Sequence, residues 1–413
     1  MLKIAYLLQI FPSTTQTFVY REVSALREHG ITVKTFSIYR PDAAKISVEA
    51  LPFLDETWYA FPINWTFLML AHLKYALTRP LCYFRTLLYV ISRPGESWRS
   101  RRRTLLHFLY GMGMVRAIEQ SGSRHIHAHF GWSASTIALI AHRLLDIPFS
   151  VTFHSFHDRN AYPQRLLPEE KIRRAEFLIT ISEYHRRFLR TFLPPCDQGD
   201  KIRVIHHGLD PEVFSPRTDS RVSTSTFAIV SVGQLIACKG FDILIEACAL
   251  LTTREIAFTC HILGEGSDRQ RLEELIRRHS LDDRVRLPGR VDQVELREYL
   301  NQADVFCLPC LKDKSGRQDG LPVVLTEAMA MQLPVVSTTI TAIPELVEHN
   351  ENGLLVPPQD PVALADALQV LAGEPELRLR LGRAGRESVV ESFNINRSAE
   401  QLAQVFKSYA DKP

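Results

Sequence analysis

The sequence predicts an α/β protein of two consecutive halves, each a mostly parallel sheet covered by helices. Three observations carry this. Short apolar runs alternate with helical patterns along most of the 413 residues. The runs are apolar throughout, as strands buried on both faces are. A polar, turn-rich stretch at 211–226 divides the series in two, and the length itself suits two or three domains.

In the first half, residues 2–10 read as a strand and are followed by a helix with Val19, Val23 and Leu26 on one stripe. Gly30 stops that helix, and 31–38 gives a second strand, completing a βαβ unit. The alternation resumes with a strand at 125–130, a helix at 133–145, and strands at 148–153, 177–181 and 202–205. The second half opens with a strand at 227–232 and a helix carrying Phe241, Leu244, Ile245, Cys248 and Leu251 at helical spacing. A strand at 256–263 and a charged helix at 267–279 follow, then strands at 305–308, 334–337 and 354–356, and two helical stretches over 375–409. Ligands of such sheets bind beyond the carboxyl ends of strands, and two such domains place the expected site in a cleft between them.

Residues 50–115 interrupt the pattern. Trp58, Tyr59, Phe61, Trp65, Phe67, Tyr75, Tyr83, Phe84 and Tyr89 are interleaved there with basic residues. Over 61–120, nine basic residues face only Glu96 and Glu119, a net +7 in a chain whose total is +3. Two readings fit: a helical surface for an anionic bilayer through 61–103, or an insertion whose aromatics pack on the core and whose arginines are solvated. The remaining chain is slightly acidic, so a nucleic-acid binder is excluded.

Composition excludes disordered, collagen-like and low-complexity classes: 46% of residues are hydrophobic, 23% charged, with 19 Gly and 23 Pro. Seven cysteines fit no disulfide framework. No apolar run reaches the roughly 20 residues of a membrane span, and 4–11 lacks the features of a signal peptide. A cytoplasmic protein, peripheral on the inner face of the membrane under the bilayer reading, is expected.

Several segments have the residue types that chemistry needs. In SVGQLIACKG (231–240) a strand ends, Gly233 turns the chain, and a helix opens near Gly240. Its backbone N–H groups and the charge of Lys239 favour a phosphate or diphosphate. In LGEGSDR (263–269), Arg269 stands where a dinucleotide fingerprint needs its third glycine, which argues against a nicotinamide cofactor. Asp319 in a loop and Glu327 in the next helix are carboxylates that suit vicinal hydroxyls. His125, His127 and His129 alternate along a strand and share a face. No carboxylate or cysteine close in sequence completes a metal set there. His154 follows the strand at 148–153 at the carboxyl end, with His157 and Asp158 in the same loop.

Together and in this order, these segments resemble the retaining glycosyltransferases of family 4, which have the GT-B fold of two Rossmann-like domains. The resemblance is strongest over 229–357. Residues 232–240 are similar to the family's phosphate loop, and DGLPVVLTE (319–327) followed by AMA to its paired-acid element. IPELV (343–347) and NGLLV (352–356) match later signatures, while FPSTTQTF (11–18), REV (21–23) and HIHAHF (125–130) resemble the subgroup that builds bacterial exopolysaccharides and colanic-acid-like polymers.

The resemblance implies an N-terminal acceptor domain at 1–216, a C-terminal nucleotide-sugar domain at 217–390, and a final helix at 391–413 returning to the first. It implies that Lys239 neutralises the donor diphosphate, Glu327 holds ribose hydroxyls, Asp319 holds donor-sugar hydroxyls, and His154 sits beside the transferring sugar. Gly233, Gln234, Gly289, Arg290, Val291, Gly320, Leu321 and Val323 fall at donor-side positions, and Thr15 and Gln16 on the acceptor side. No metal or other cofactor is expected; the partners are a nucleotide-sugar donor and a lipid-linked or oligosaccharide acceptor. Gln234 replaces the family's usual Arg, Asp319 its usual Glu, and residues 13–17 its usual Gly-Gly. The Gln234 departure keeps open a catalytically weak sugar-nucleotide-binding scaffold, beside an epimerase or phosphorylase on the same fold.

Overall fold

The computed structural model describes residues 2–13, 16–43, 46–92, 97–154, 168–194, 201–216 and 226–410. The chain forms two compact units: Met1–Gly208 with Ile395–Pro413, and Leu209–Asn394. The sequence reading placed the joins at 216/217 and 390/391.

In unit 1 the elements run β1 (Lys3–Ile10), α1 (Thr17–Glu28), β2 (Thr32–Tyr39), α2 (Pro52–Glu56), β3 (Trp58–Phe61), α3 (Trp65–Thr78), α4 (Pro80–Ile91), α5 (Trp98–Ser121), β4 (His125–His129), α6 (Ser133–Leu145), β5 (Phe149–Phe153), α7 (Pro168–Arg174), β6 (Leu178–Thr180), α8 (Glu183–Arg190) and β7 (Ile202–Val204). The seven strands pair in the order β3-β2-β1-β4-β5-β6-β7, all parallel. Ile4 to Leu8 and every residue of β4 and β5 are buried because both faces of the sheet are covered, although β4 and β5 alternate apolar residues with His125, His127, His129, Ser150 and Thr152. Strand order reverses at β1, which lies between β2 and β4.

Unit 2 runs β8 (Phe227–Val232), α9 (Phe241–Thr253), β9 (Phe258–Leu263), α10 (Arg269–Arg278), β10 (Val285–Gly289), α11 (Gln293–Gln302), β11 (Val305–Leu308), α12 (Val323–Ala330), β12 (Val335–Thr338), α13 (Ile343–Leu346), β13 (Leu354–Val356), α14 (Pro361–Gly373) and α15 (Pro375–Ser392). Its six parallel strands pair as β10-β9-β8-β11-β12-β13, reversing at β8. The last helix, α16 (Ile395–Ala410), belongs to unit 1. Ile395 and Ala399 pack on Ala25 of α1, and Phe406 meets the rings of Tyr6, His125 and His127.

The interruption at 50–115 is not wholly helical: Trp58–Phe61 pairs with β2 as an added edge strand. Its aromatic, β-favouring residues pack there, Trp58 against Phe36 and Phe61 against Tyr39. Three helices follow. Asn64 caps α3 and Ser97 caps α5, each accepting a backbone N–H. α3 buries Leu68, Ala71 and Tyr75 on one side and exposes Met69, Leu70, Leu73 and Leu77 on the other. α4 likewise buries Thr86 and Val90 while exposing Leu81, Phe84, Leu88 and Ile91. His72 joins all three helices, with Nδ1 2.9 Å from the Tyr83 hydroxyl and Nε2 2.9 Å from the Leu109 carbonyl. No helix among the described residues is long and apolar enough to cross a membrane.

Candidate active site

In unit 2 the loops beyond β8, β9 and β10 are laced edge to edge. Gly233 N–H donates to Leu263 O at 3.0 Å, Leu235 N–H to Glu265 O at 2.9 Å, and Gly264 N–H to Gly289 O at 2.8 Å. The lacing requires glycine: a Cβ on Gly264, at φ +140°, would lie 1.9 Å from Gly233 O. Beyond β8 the chain makes a single 3-10 turn, Ala237–Lys239, and reaches α9 through Gly240. A Cβ on Gly240 would lie 2.0 Å from Pro309 O, beyond the end of β11. This is where strand order reverses, the position at which open α/β sheets bind ligands.

Lys239 occupies this point with 13% of its side chain exposed, and its Nζ pairs with Asp319 Oδ2. Burial by itself would lower the Lys239 ammonium, but the charge of Asp319 and its hydrogen bond outweigh that and hold it above the ordinary lysine range. Cys310 Sγ lies 3.8 Å from the same carboxylate oxygen, and burial together with Asp319 pushes the Cys310 thiol well up. Its neighbour Cys307 is also a free, buried thiol.

The loop carrying Asp319 is pinned at Gly320, whose carbonyl accepts from Thr341 Oγ1 at 2.8 Å. Leu321 is buried, Val323 opens α12, and Glu327 lies on that helix at 3% exposure. Arg290 and Val291 follow β10, and Asp292 then caps α11 in a reciprocal capping box with Glu295. Gln234 is exposed on the loop between Gly233 and Leu235. Gly233, Lys239 and Asp319 therefore meet directly, while Gly289, Arg290 and Val291 extend the same row of strand ends two strands away. Arg269, at the failed glycine position, binds Glu265, Glu273 and the Leu287 carbonyl, a purely structural set of contacts. A concavity of about 430 Å³ lined by Phe227, Asp304 and Arg378 lies at the amino ends of β8 and β11, away from these groups.

In unit 1 histidines run the length of β4, from His125 at its amino end to His129 at its carboxyl end, where His154 joins them beyond β5. His125 Nε2 and His127 Nδ1 are each 2.7 Å from Ser150 Oγ, and His127 Nε2 is 2.8 Å from Thr152 Oγ1. His129 Nδ1 is 2.9 Å from His154 Nε2, and His154 Nδ1 is 3.1 Å from His207 Nε2. Phe18 of α1 stacks on His207 with centroids 4.1 Å apart. Burial drives the imidazolium form out: His125 and His207 fall to about 3, and His154, with His207 and His129 beside it, lies well below the ordinary histidine range.

The carboxylate that local sequence did not supply comes from α1. Glu22 Oε1 accepts from the Tyr6 hydroxyl at 2.9 Å and lies 3.3 Å from His129 Nε2. Glu22, His127 and His129 form the one group among the described residues with donor atoms spaced for a metal ion. Both His127 nitrogens are already engaged with hydroxyls, so a metal there would displace existing hydrogen bonds. Gln16 stands at the head of α1; Thr15, His157 and Asp158 lie outside the described residues.

Sequence comparison agrees with this architecture. The profile for glycosyl transferases group 1 matches residues 217–388, and that for Glycosyltransferase Family 4 matches 15–213. A putative colanic acid biosynthesis glycosyltransferase, WcaL of Escherichia coli K12, is 36% identical over 288 residues, 67% of this chain and 69% of its own.

The chain belongs to glycosyltransferase family 4.

The amylovoran biosynthesis glycosyltransferase AmsK of Erwinia amylovora is 29% identical to this family 4 member over 99% of the chain and 100% of its own length. Among solved structures, sucrose-phosphate synthase from Thermosynechococcus elongatus superposes with a TM-score of 0.75 at 21% identity, covering 100% of both chains. Anabaena HepE in complex with UDP-glucose superposes at 0.72 with 16% identity, covering 99% of this chain and 100% of that one. These likenesses establish the GT-B fold.

Proposed function

We propose that this family 4 enzyme moves a hexose from a nucleoside-diphosphate sugar to a lipid-linked or polysaccharide-precursor acceptor, with retention of configuration, in the assembly of a cell-surface polysaccharide. The observation that carries the reading is Lys239, a nearly buried cation beside the Gly233 turn at the reversal point of the second sheet. A diphosphate placed there would compete with Asp319 for the ammonium and gain the N–H groups of the turn. Gly289, Arg290 and Val291 are the proposed contacts to the base, Glu327 to the ribose, and Asp319, Gly320, Leu321 and Val323 to the remaining donor. His154 stands beside the transferring sugar, and Thr15 and Gln16 serve the acceptor in unit 1. HepE binds UDP-glucose and the relatives are named for colanic acid and amylovoran, which supports this donor and acceptor class.

Stabilisation of the leaving group by Lys239 and backbone N–H groups requires no resident metal. We place the attack on the donor's front face, with the departing phosphate oxygen taking the acceptor proton. The exposed apolar stripes of α3 and α4 support seating on an anionic membrane, on the inner face. Arg85 sits within the α4 stripe, and Arg99 and Arg102 are exposed at the start of α5.

Calorimetric titration with UDP, GDP and ADP, and with their sugar conjugates, tests the donor. Selective binding of one nucleotide, lost in Glu327→Ala, is expected. Binding of none would favour the scaffold reading that Gln234 keeps open. Retention is read from the anomeric proton of the product, and turnover unchanged in EDTA is expected.

A further inference from the structure

His129 is buried at the end of β4, and its Nε2 makes no hydrogen bond although Glu22 Oε1 lies only 3.3 Å away. A buried ring nitrogen left this way calls for an occupant. Water fits the spacing poorly: two groups bridged by one water stand about 4.5 Å apart, since each contact is about 2.8 Å long. Zinc fits it well. Two ligand atoms about 2.0–2.1 Å from zinc, separated by the tetrahedral angle, stand about 3.3 Å apart. His127, two residues back on the same face of β4, brings a third donor, and the three ligand atoms all lie within 4.8 Å of one another.

The surroundings suit a metal set. The Tyr6 hydroxyl donates to Glu22 Oε1 at 2.9 Å, and His129 Nδ1 is 2.9 Å from His154 Nε2, so each of these two ligands is oriented by a second contact. His127 must release one hydroxyl, Ser150 or Thr152. If it releases Ser150, that hydroxyl still meets His125 Nε2 at 2.7 Å. One ordinary hydrogen bond is then exchanged for a metal–imidazole bond. The Glu22 side chain is 17% exposed, which opens the site to solvent and leaves room for a water as fourth ligand.

We propose that Glu22, His127 and His129 bind one divalent ion of the zinc class. Two imidazoles and a carboxylate favour zinc and its late first-row neighbours over magnesium and calcium, which take oxygen sets. The ion would tie α1 to β4. It belongs to unit 1, whereas the leaving-group contacts belong to unit 2, and the transfer step makes no use of it.

The test uses the full chain stripped with EDTA and dialysed. Calorimetric titration with zinc sulfate should show one tight equivalent per chain, and cobalt(II) in its place should give the intense visible bands of a four-coordinate site. Glu22→Gln keeps an acceptor for Tyr6 and should weaken zinc binding tenfold or more; His129→Phe, which keeps a ring in place, should remove the cobalt bands. If His129→Phe does not fold, Glu22→Gln alone decides. Zinc should also raise the thermal midpoint of the unaltered protein, and that rise should vanish in Glu22→Gln. Absence of a tight equivalent, a six-coordinate cobalt spectrum, or affinity unchanged in Glu22→Gln would overturn the site. None of these readouts depends on turnover, so failure of the transferase reading would leave them standing.

Discussion

Both sheets reverse direction at an inner strand, β1 in unit 1 and β8 in unit 2, yet different groups stand at the two reversal points. Unit 2 keeps a full charge there: Lys239 is nearly buried, but Asp319 compensates it and the ammonium persists. Unit 1 places imidazoles in a comparably buried setting with hydroxyls and one another as neighbours, and burial makes them neutral. Depth does not decide protonation by itself; the nearest counter-charge does. A site for a diphosphate needs the first arrangement, and a site for sugar hydroxyls is served by the second.

The largest expected consequence is a response to acid concentrated in unit 1, although burial also lowers His261 in unit 2. His107, His125 and His207 titrate near 3 in the fold against an ordinary value of 6.5. Between those values the unfolded chain binds more protons than the folded one, so stability is lost as pH falls from about 6.5 towards 3. The loss approaches 1.4 kcal/mol per pH unit for each group, or about 4 kcal/mol per unit for the three. All four tryptophans, Trp58, Trp65, Trp98 and Trp132, lie in unit 1, so their fluorescence during urea unfolding reports that unit. A midpoint independent of pH over this window would break the contrast between the units.

Backbone crowding sharpens it next. Gly240→Ala would force a Cβ onto Pro309 O at φ +69° and should destabilise unit 2 by about 3 kcal/mol or more. Gly30→Ala in unit 1, at φ +78° with open space around it, should cost only about 1 kcal/mol. Denaturant unfolding followed by circular dichroism compares them. Removing one member of the charged pair comes third. Lys239→Met leaves Asp319 uncompensated and should cost about 1–3 kcal/mol, with part of it recovered in Lys239→Met/Asp319→Leu. If the double variant is no more stable than the single one, the pair is not what holds the charge.

The smallest effect on stability is expected on the apolar stripes. Leu77→Ser with Phe84→Ser should change stability by no more than about 0.5 kcal/mol per site, because both side chains are exposed. The same changes should remove co-sedimentation with phosphatidylglycerol vesicles. Equal binding of the unaltered protein to neutral and anionic vesicles would remove the role assigned to its arginines.

What the sequence revealed and what it hid divide along sequence separation. The parallel strands, the Gly233–Gly240 turn and the shared face of His125, His127 and His129 are local patterns, and local patterns survive in one dimension. Glu22 was missed as the partner of His129 because α1 and β4 meet only through the fold. The Lys239–Asp319 pair joins groups 80 residues apart. The outward apolar stripes were hidden for another reason. Leucines at 70, 73 and 77 have the same spacing as a core face, and only packing shows which side of α3 is covered. Trp58–Phe61 read as part of a helical insertion because four residues are too short to show a period.

The return of α16 to unit 1 bears on biosynthesis. The chain leaves unit 1 after Gly208 and re-enters it at Ile395. Leu209 N–H donates to Phe393 O at 2.7 Å, so the segment is tied off at its own neck. Unit 2 is thus an insertion with adjacent ends, and the ribosome completes it before Phe406 exists to cover the histidines. Domains fold as units during translation. The second unit is complete in sequence while the first still has its histidine row uncovered, and a chain ended at Asn394 would hold all of unit 2 but leave unit 1 without Phe406.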